Sequence, residues 1–161
     1  MRVIRIAHLF ISPGHNYFGH HGRPPGDHAM LEVEQIECVA GRGIRGDRFF
    51  DSRNDYKGQI TFFSLEVLEA VVFELELGEV RPEATRRNVF TVRANLDRLI
   101  GAEFEVQGVR FLGTEECRPC YWMNRAFRDD RVERRLQGRG GLRARILTDG
   151  VLRREVIESR Y

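Results

Sequence analysis

Residues 115–122 read EECRPCYW, so Cys117 and Cys120 frame an Arg-Pro pair. Three chemistries use that spacing. A C-x2-C pair supplies two of the four ligands of a tetrahedral zinc site. The chain has no second such pair, so two histidines from residues 15–28 would have to complete it. A dithiol redox pair should open a long helix inside a βαβ pattern. The following YWMNRAFRDDRVERR is polar and broken, which argues against that use. The third chemistry is one reactive thiolate with a neighbour. Arg118 and Arg125 lie close in sequence and suit it, because adjacent guanidiniums favour thiolate. The plain structural alternative is two buried, inert thiols.

Other stretches offer partners. SPGHNYFGHHGRPPGDHAM, residues 12–30, holds four of the five histidines. Imidazoles bind metals or exchange protons near neutral pH, and equally sit solvated on a loop. GRGIRGDR places Gly46, Asp47 and Arg48 where backbone N–H groups and a guanidinium can meet an anion. It lacks the Lys-Ser/Thr of a P-loop, and a tight turn with a local ion pair explains it as well. TRRNVF puts Arg86, Arg87 and Asn88 before an apolar strand. On a strand the two arginines would face opposite sides, so at most one is expected in a shared pocket. GRGGLRARI adds a glycine turn flanked by Arg139 and Arg143. Together these arginine-bearing turns suit a phosphorylated or anionic cofactor.

These groups need a frame, and the pattern is of short strands closed by glycine turns. Strands are expected at 2–10, 32–40 and 59–63. A hairpin is expected across Phe104–Phe111, turning at Gln107-Gly108. A second is expected in RARILTDGVLRREVI, turning at Asp149-Gly150. Ser64 is placed to cap a helix carrying Leu65, Leu68, Val72 and Leu75, with Gly78 as its stop. A shorter helix is expected from Asp129 to Leu136, ending at Gly138. Many strands with few helices predict a closed or nearly closed barrel. No repeat or linker is evident, so residues 1–161 are expected to form a single domain.

Composition narrows the function. Apolar residues are 42% and charged residues 31%, which suits a folded chain. The formal charge of +2 is too balanced for a large nucleic-acid footprint. Apolar runs are too short for a membrane span, and the start MRVIRIAHLFIS is too interrupted for a signal-peptide core. Three cysteines without an export signal argue against a disulfide framework and for the cytoplasm. Cys38, in EQIECVAG, is expected to share a strand face with Ile36 as a small buried hydrophobe.

The ordered set GIRGDRFF, GQITFFSLE, RRNVFT, LIGAEFEVQGVRFLG, ECRPC and GRGGLRARIL resembles the MOSC domain, named for the C-terminal part of molybdenum-cofactor sulfurase. The likeness spans roughly residues 3–157. No single motif is very specific, but six in the right order are. The resemblance implies a mainly β fold, a β-barrel with a few peripheral helices. It implies binding of the molybdenum cofactor, a pyranopterin dithiolene with a terminal phosphate. It also implies a reactive cysteine that ligates molybdenum or carries sulfur, and Cys120 matches it better than Cys117. Gly46, Asp47 and Arg48 match the family's GDR segment, and Arg86, Arg87 and Asn88 its R-x-N segment. With Arg139 these form the expected cofactor-binding set. A thiolate suits both molybdenum and persulfide chemistry.

Lys57 is the only lysine, so the chain has no evident Schiff-base desulfurase chemistry of its own. The resemblance therefore implies partners: a cysteine desulfurase or molybdenum-cofactor biosynthesis proteins, and an electron-transfer partner if the metal turns over. Nucleic acid and membranes are not expected partners. The competing readings are a metal-free sulfur carrier and a zinc-stabilised structural barrel.

Overall fold

The computed structural model describes residues 3–15 and 28–158. Among them the chain is mainly β, with three short α-helices. The larger sheet contains β1 (Arg5–Ile11), β2 (Leu31–Glu32), β5 (Ile60–Ser64), β6 (Val89–Val92), β7 (Glu103–Val106), β8 (Val109–Glu116) and β9 (Leu142–Ile146). Its order is β2-β1-β6-β5-β9-β8-β7. The smaller sheet contains β3 (Gln35–Val39), β4 (Gly43–Ile44) and β10 (Gly150–Arg153), in the order β10-β3-β4. The helices are α1 (Leu65–Glu74), α2 (Tyr121–Phe127) and α3 (Val132–Arg135).

Alternation along the central strands builds two cores. On β5, Phe62 points into a cluster with Ile36, Cys38 and Leu152 of the smaller sheet. Its neighbour Phe63 points the other way, into a cluster with Leu68, Phe127 and Leu136 of the helices. A strand buried on both faces reads as a continuous apolar run, as ITFF does. Ile36 and Cys38 share the buried face of β3, as their spacing predicts.

β5 and β6 are parallel, with α1 in their crossover. Ser64 caps α1, its Oγ accepting from the Val67 N–H at 3.3 Å. The helix ends at Glu74, and Glu76 takes the left-handed conformation at φ 52°. Gly78, expected as the stop, does not supply that turn. The β7–β8 hairpin forms as expected, with Gln107 at φ 50° and Gly108 at φ 84°. Positive φ at both central residues matches the right-handed twist of the flanking strands.

Three expectations change, and a fourth is met only in its mainly β character. The second hairpin does not form: β9 pairs with β5 and β8, while β10 pairs with β3. Asp149 ties the connection to the smaller sheet, its Oδ1 accepting from the Ala40 N–H at 2.7 Å. Gly150 is there for space, because a Cβ would lie 2.6 Å from the Val109 side chain. Next, the stretch after Cys120 is a helix, α2, which buries Trp122, Met123 and Phe127. The expected helix at 129–136 shrinks to the four residues of α3. Finally, the strands lie in two open sheets, and no closed barrel is found among the described residues.

Candidate functional site

A cleft of about 190 Å³ opens where four connections meet. The loop between β4 and β5 brings Arg48 and Tyr56. The turn before β6 brings Arg86 and Arg87. The segment from β8 to α2 brings Cys117, Arg118 and Cys120, and β9 brings Arg143. His15, following β1, also lines it.

Cys117 is fixed from both sides. Its N–H donates to the Gly141 carbonyl at 2.8 Å, and its own carbonyl accepts from Arg87 Nη2 at 2.9 Å. That approach requires the glycine pair. A Cβ on Gly140 would lie 2.3 Å from the Cys117 carbonyl oxygen, and one on Gly141 2.3 Å from the Phe62 carbonyl oxygen. Gly141 also sits at φ 101°, a conformation open to glycine. The Cys117 side chain is buried and shares the cleft with the Arg143 guanidinium, whereas Cys120, at the start of α2, is exposed.

The arginines divide by what they hold. Arg87 is buried and donates to the carbonyls of Thr85, Gly140 and Cys117. Arg86 donates to the His28 and Gly14 carbonyls and to Ser12 Oγ. Arg48 donates to the Arg86 carbonyl at 2.8 Å and to Asp47 Oδ1 at 3.1 Å, and its guanidinium stacks 4.6 Å over Phe49. These three tie the loops into one wall. Arg143 and Arg118 belong to the interior and the rim. Arg143 bonds Glu115 Oε1 at 3.1 Å and lines the cleft with Cys117, and Arg118 is exposed.

Both Arg86 and Arg87 reach the cleft, contrary to the strand-based expectation. Arg86 is not on a strand: it sits at φ 56°, capping the 3-10 turn Pro82–Thr85. The other expected binding residues lie elsewhere. Asp47 is buried and accepts from the Ser12 N–H at 3.0 Å and the Phe49 N–H at 3.3 Å, besides its pair with Arg48. Asn88 is buried, with Oδ1 accepting from the Thr61 N–H and Nδ2 donating to the Phe10 carbonyl. Gly46 supplies the positive φ, 81°, that turns the chain into Asp47. These three support the wall and do not line the cleft. Arg139 lies apart, donating to Glu74 and the Arg135 carbonyl on the helical side.

Arg143, Tyr56 and Trp122 also line the cleft. A signal for Arg143 was present in LRARI, whose alternation sets it and Arg145 on the polar face of β9.

The charge balance is distinctive. Burial pulls the Arg48 guanidinium below its ordinary value; Asp47 opposes this and nearby Arg87 adds to it. Burial would lower Arg143 too, but its neighbours Cys117, Tyr56 and Glu115 outweigh that and raise it. Burial, then the charge of Arg48, lowers His15, which favours neutral imidazole. Five arginines line a cleft whose carboxylate neighbours, Asp47 and Glu115, are already paired. Such a surface attracts an anion. Cys38 is remote in character: buried in the core, its thiol is pushed up to about 12.

Among the described residues, no group of three His, Cys, Asp or Glu gathers as a metal site. Residues 16–27, with His20 and His21, lie outside the described residues. No described helix is long and apolar enough to cross a membrane.

Comparison with known proteins agrees with this architecture. The YuaD protein of Bacillus subtilis superposes with a TM-score of 0.70 at 16% identity, covering 94% of this chain and 91% of that one. YiiM of Geobacillus stearothermophilus gives 0.67 at 12% identity, covering 93% and 71%. YiiM of Escherichia coli gives 0.60 at 18% identity, covering 89% and 66%. Among curated proteins, none matches the sequence. The MOSC domain model matches residues 19–156, most of the chain, and the chain therefore belongs to the MOSC domain family.

Proposed function

We propose that the cleft holds the anionic, sulfur-rich end of the molybdenum cofactor, with Cys120 as the cysteine that ligates molybdenum or carries sulfur for it. The observation that carries this reading is the convergence of two thiols with five arginines in one cleft. The donor set suits the group: thiols are soft ligands, and guanidiniums pair with phosphate and other oxyanions. Arg143 and Arg118 are the residues placed to bind; Arg48, Arg86 and Arg87 keep the wall in shape. Bound there, the group would supply oxo-transfer or sulfur chemistry at molybdenum. Trp122 and Met123 offer an apolar flank beside the buried thiol of Cys117.

The partners proposed are a cysteine desulfurase or cofactor-biosynthesis proteins, and an electron donor if the metal turns over. We place the protein in the cytoplasm, on its odd cysteine count. The expected barrel is proposed in a looser form, two open sheets curled around the core that they share.

The test is purification from a host that makes the cofactor, with molybdenum and pterin measured on wild type and Cys120→Ala. Wild type should carry both, and the variant should lose molybdenum. Equal loading of the two would remove Cys120 as ligand.

One observation favours a second reading, a metal-free sulfur carrier. At about 190 Å³ the cleft takes only part of a pyranopterin, yet it contains two thiols. That reading expects a persulfide after incubation with a cysteine desulfurase and cysteine, seen as a gain of one sulfur that dithiothreitol removes.

A further inference from the structure

Cys117 and Cys120 open on the same cleft, but their surroundings differ in three ways. Cys120 is exposed, at the start of α2, where a partner's active-site loop can reach it. Cys117 is buried, 6% exposed, with its backbone pinned by Gly141 and Arg87. It lines the cleft with Arg143 and Arg48, close enough for charge on its sulfur to interact with both guanidiniums. An entry thiol and a shielded thiol thus stand three residues apart, with the guanidiniums of Arg143 and Arg48 beside the inner one.

We propose that the two cysteines form an inward sulfur relay, in which Cys120 accepts a sulfane sulfur from a donor persulfide and Cys117 takes it over and holds it beside Arg143 and Arg48. The proposal rests on the sulfur-carrying reading above. In the first step the Cys120 thiolate attacks the terminal sulfur of the donor persulfide. A new S–S bond forms on Cys120, the donor's S–S bond breaks, and the donor leaves as a thiolate. In the second step Cys117 sulfur attacks the terminal sulfur now on Cys120. The S–S bond forms on Cys117 and breaks on Cys120, and the proton given up by the Cys117 thiol ends on Cys120 sulfur. Across the second step one thiol and one persulfide become one persulfide and one thiol, so nothing is oxidised or reduced.

Direction follows from the surroundings. A persulfide is a stronger acid than the parent thiol, so its terminal sulfur carries negative charge more readily. Arg143 and Arg48 offer that charge partners in a partly buried site, where such pairing is stronger than in water. Thiol exchange also needs access, and a sulfur on Cys117 is shielded from outside reductants. Attack on the inner sulfur of the Cys120 persulfide would instead give a Cys117–Cys120 disulfide and release sulfide, and the test separates the two.

The full-length protein is loaded in two arms, with a cysteine desulfurase plus cysteine and with glutathione persulfide. It is then alkylated under denaturing conditions, and the extra sulfur is located by tandem mass spectrometry on the peptide carrying both cysteines. In wild type the sulfur is expected mainly on Cys117. In Cys117→Ser it should stay on Cys120 and be removed by dithiothreitol roughly tenfold faster, as an exposed sulfur is. In Cys120→Ser, loading from the desulfurase should fall at least about tenfold, because access limits exchange. Arg143→Gln keeps both thiols and should shift the sulfur towards Cys120; it also guards against a Cys117 variant that fails to fold. Sulfur that remains on Cys120 in wild type, or a Cys117–Cys120 disulfide with free sulfide, overturns the relay. Loading on Cys117 from glutathione persulfide but not from the desulfurase keeps the relay and rejects the desulfurase as partner. Failure of both donors rejects the relay together with the sulfur-carrying reading.

Discussion

Asp47 and Arg48 form a buried ion pair, Arg48 Nη1 lying 3.1 Å from Asp47 Oδ1. GRGIRGDR suggests an anion cradle, but Asp47 spends its carboxylate on two backbone N–H groups and on Arg48. Both side chains are almost wholly buried, at 0% and 6% exposure. Removing one partner of such a pair leaves the other charge uncompensated. Asp47→Ala should therefore cost about 3–5 kcal/mol in urea unfolding. An equal stability for wild type and variant would contradict this account of the loop. His15 offers a second check. Burial and Arg48 lower its pKa, so its NMR midpoint should lie below the ordinary 6.5. An anion bound in the cleft should offset Arg48 and move the midpoint upwards; a midpoint at or above 6.5 without anion would be inconsistent.

Cys38 gives a stability prediction with a definite sign. Its folded value is raised, from 9.0 to about 12, because burial disfavours the thiolate. Below pH 9 both folded and unfolded states hold the proton, so the stabilisation is fully present. As pH rises from 9 towards 12 the unfolded chain loses the proton first, and stability falls. The difference between wild type and Cys38→Ala isolates this effect. Its stability gap should narrow across that window, and a gap independent of pH would contradict the buried-thiol account.

At the level of elements, the Gly140-Gly141 turn matters more than its neighbouring arginine. Arg139, a candidate binding residue by its place beside that turn, faces Glu74 on the helical side. The glycines let β9 approach both Cys117 and Phe62. Gly141→Ala would place a Cβ against the Phe62 carbonyl at positive φ, and should destabilise the fold by about 1–3 kcal/mol. It should also speed alkylation of Cys117 by loosening the Gly141 contact with its N–H, and an unchanged alkylation rate would contradict that link.

The elements also explain what sequence could and could not reveal. β5, the Gln107-Gly108 hairpin and the Ser64 cap were legible because their signals are local: a continuous apolar run, two turn residues and one capping hydroxyl. The partner of β10 was not, because Asp149-Gly150 looks like a tight turn until Ala40 N–H appears as the acceptor's true partner. α2 was missed because it is seven residues long and mixes Asn124 and Arg125 with its buried Trp122 and Phe127, so no clear helical period emerges. Of the site, the two cysteines and the arginine-bearing turns were visible as types. Which arginine meets a thiol was not, since Arg143 reaches Cys117 only through the pairing of β8 with β9.

For the whole molecule, two open sheets and a helical layer enclose two cores, and the cleft lies where their loops converge. Family membership gives the kind of domain, and the arginine-rich cleft with its two free cysteines is the proposed place of its chemistry. We propose this cleft, and not the helical side of the molecule, as the cofactor site. Arg143→Gln and Arg139→Gln remove one guanidinium each from the two places. Molybdenum and pterin should be measured per protein on both variants and on wild type, all purified from a cofactor-making host. Arg143→Gln should lose about tenfold in loading, the loss of one charge-assisted bond, while Arg139→Gln should match wild type. Undiminished loading of Arg143→Gln, or an equal loss in Arg139→Gln, would contradict it.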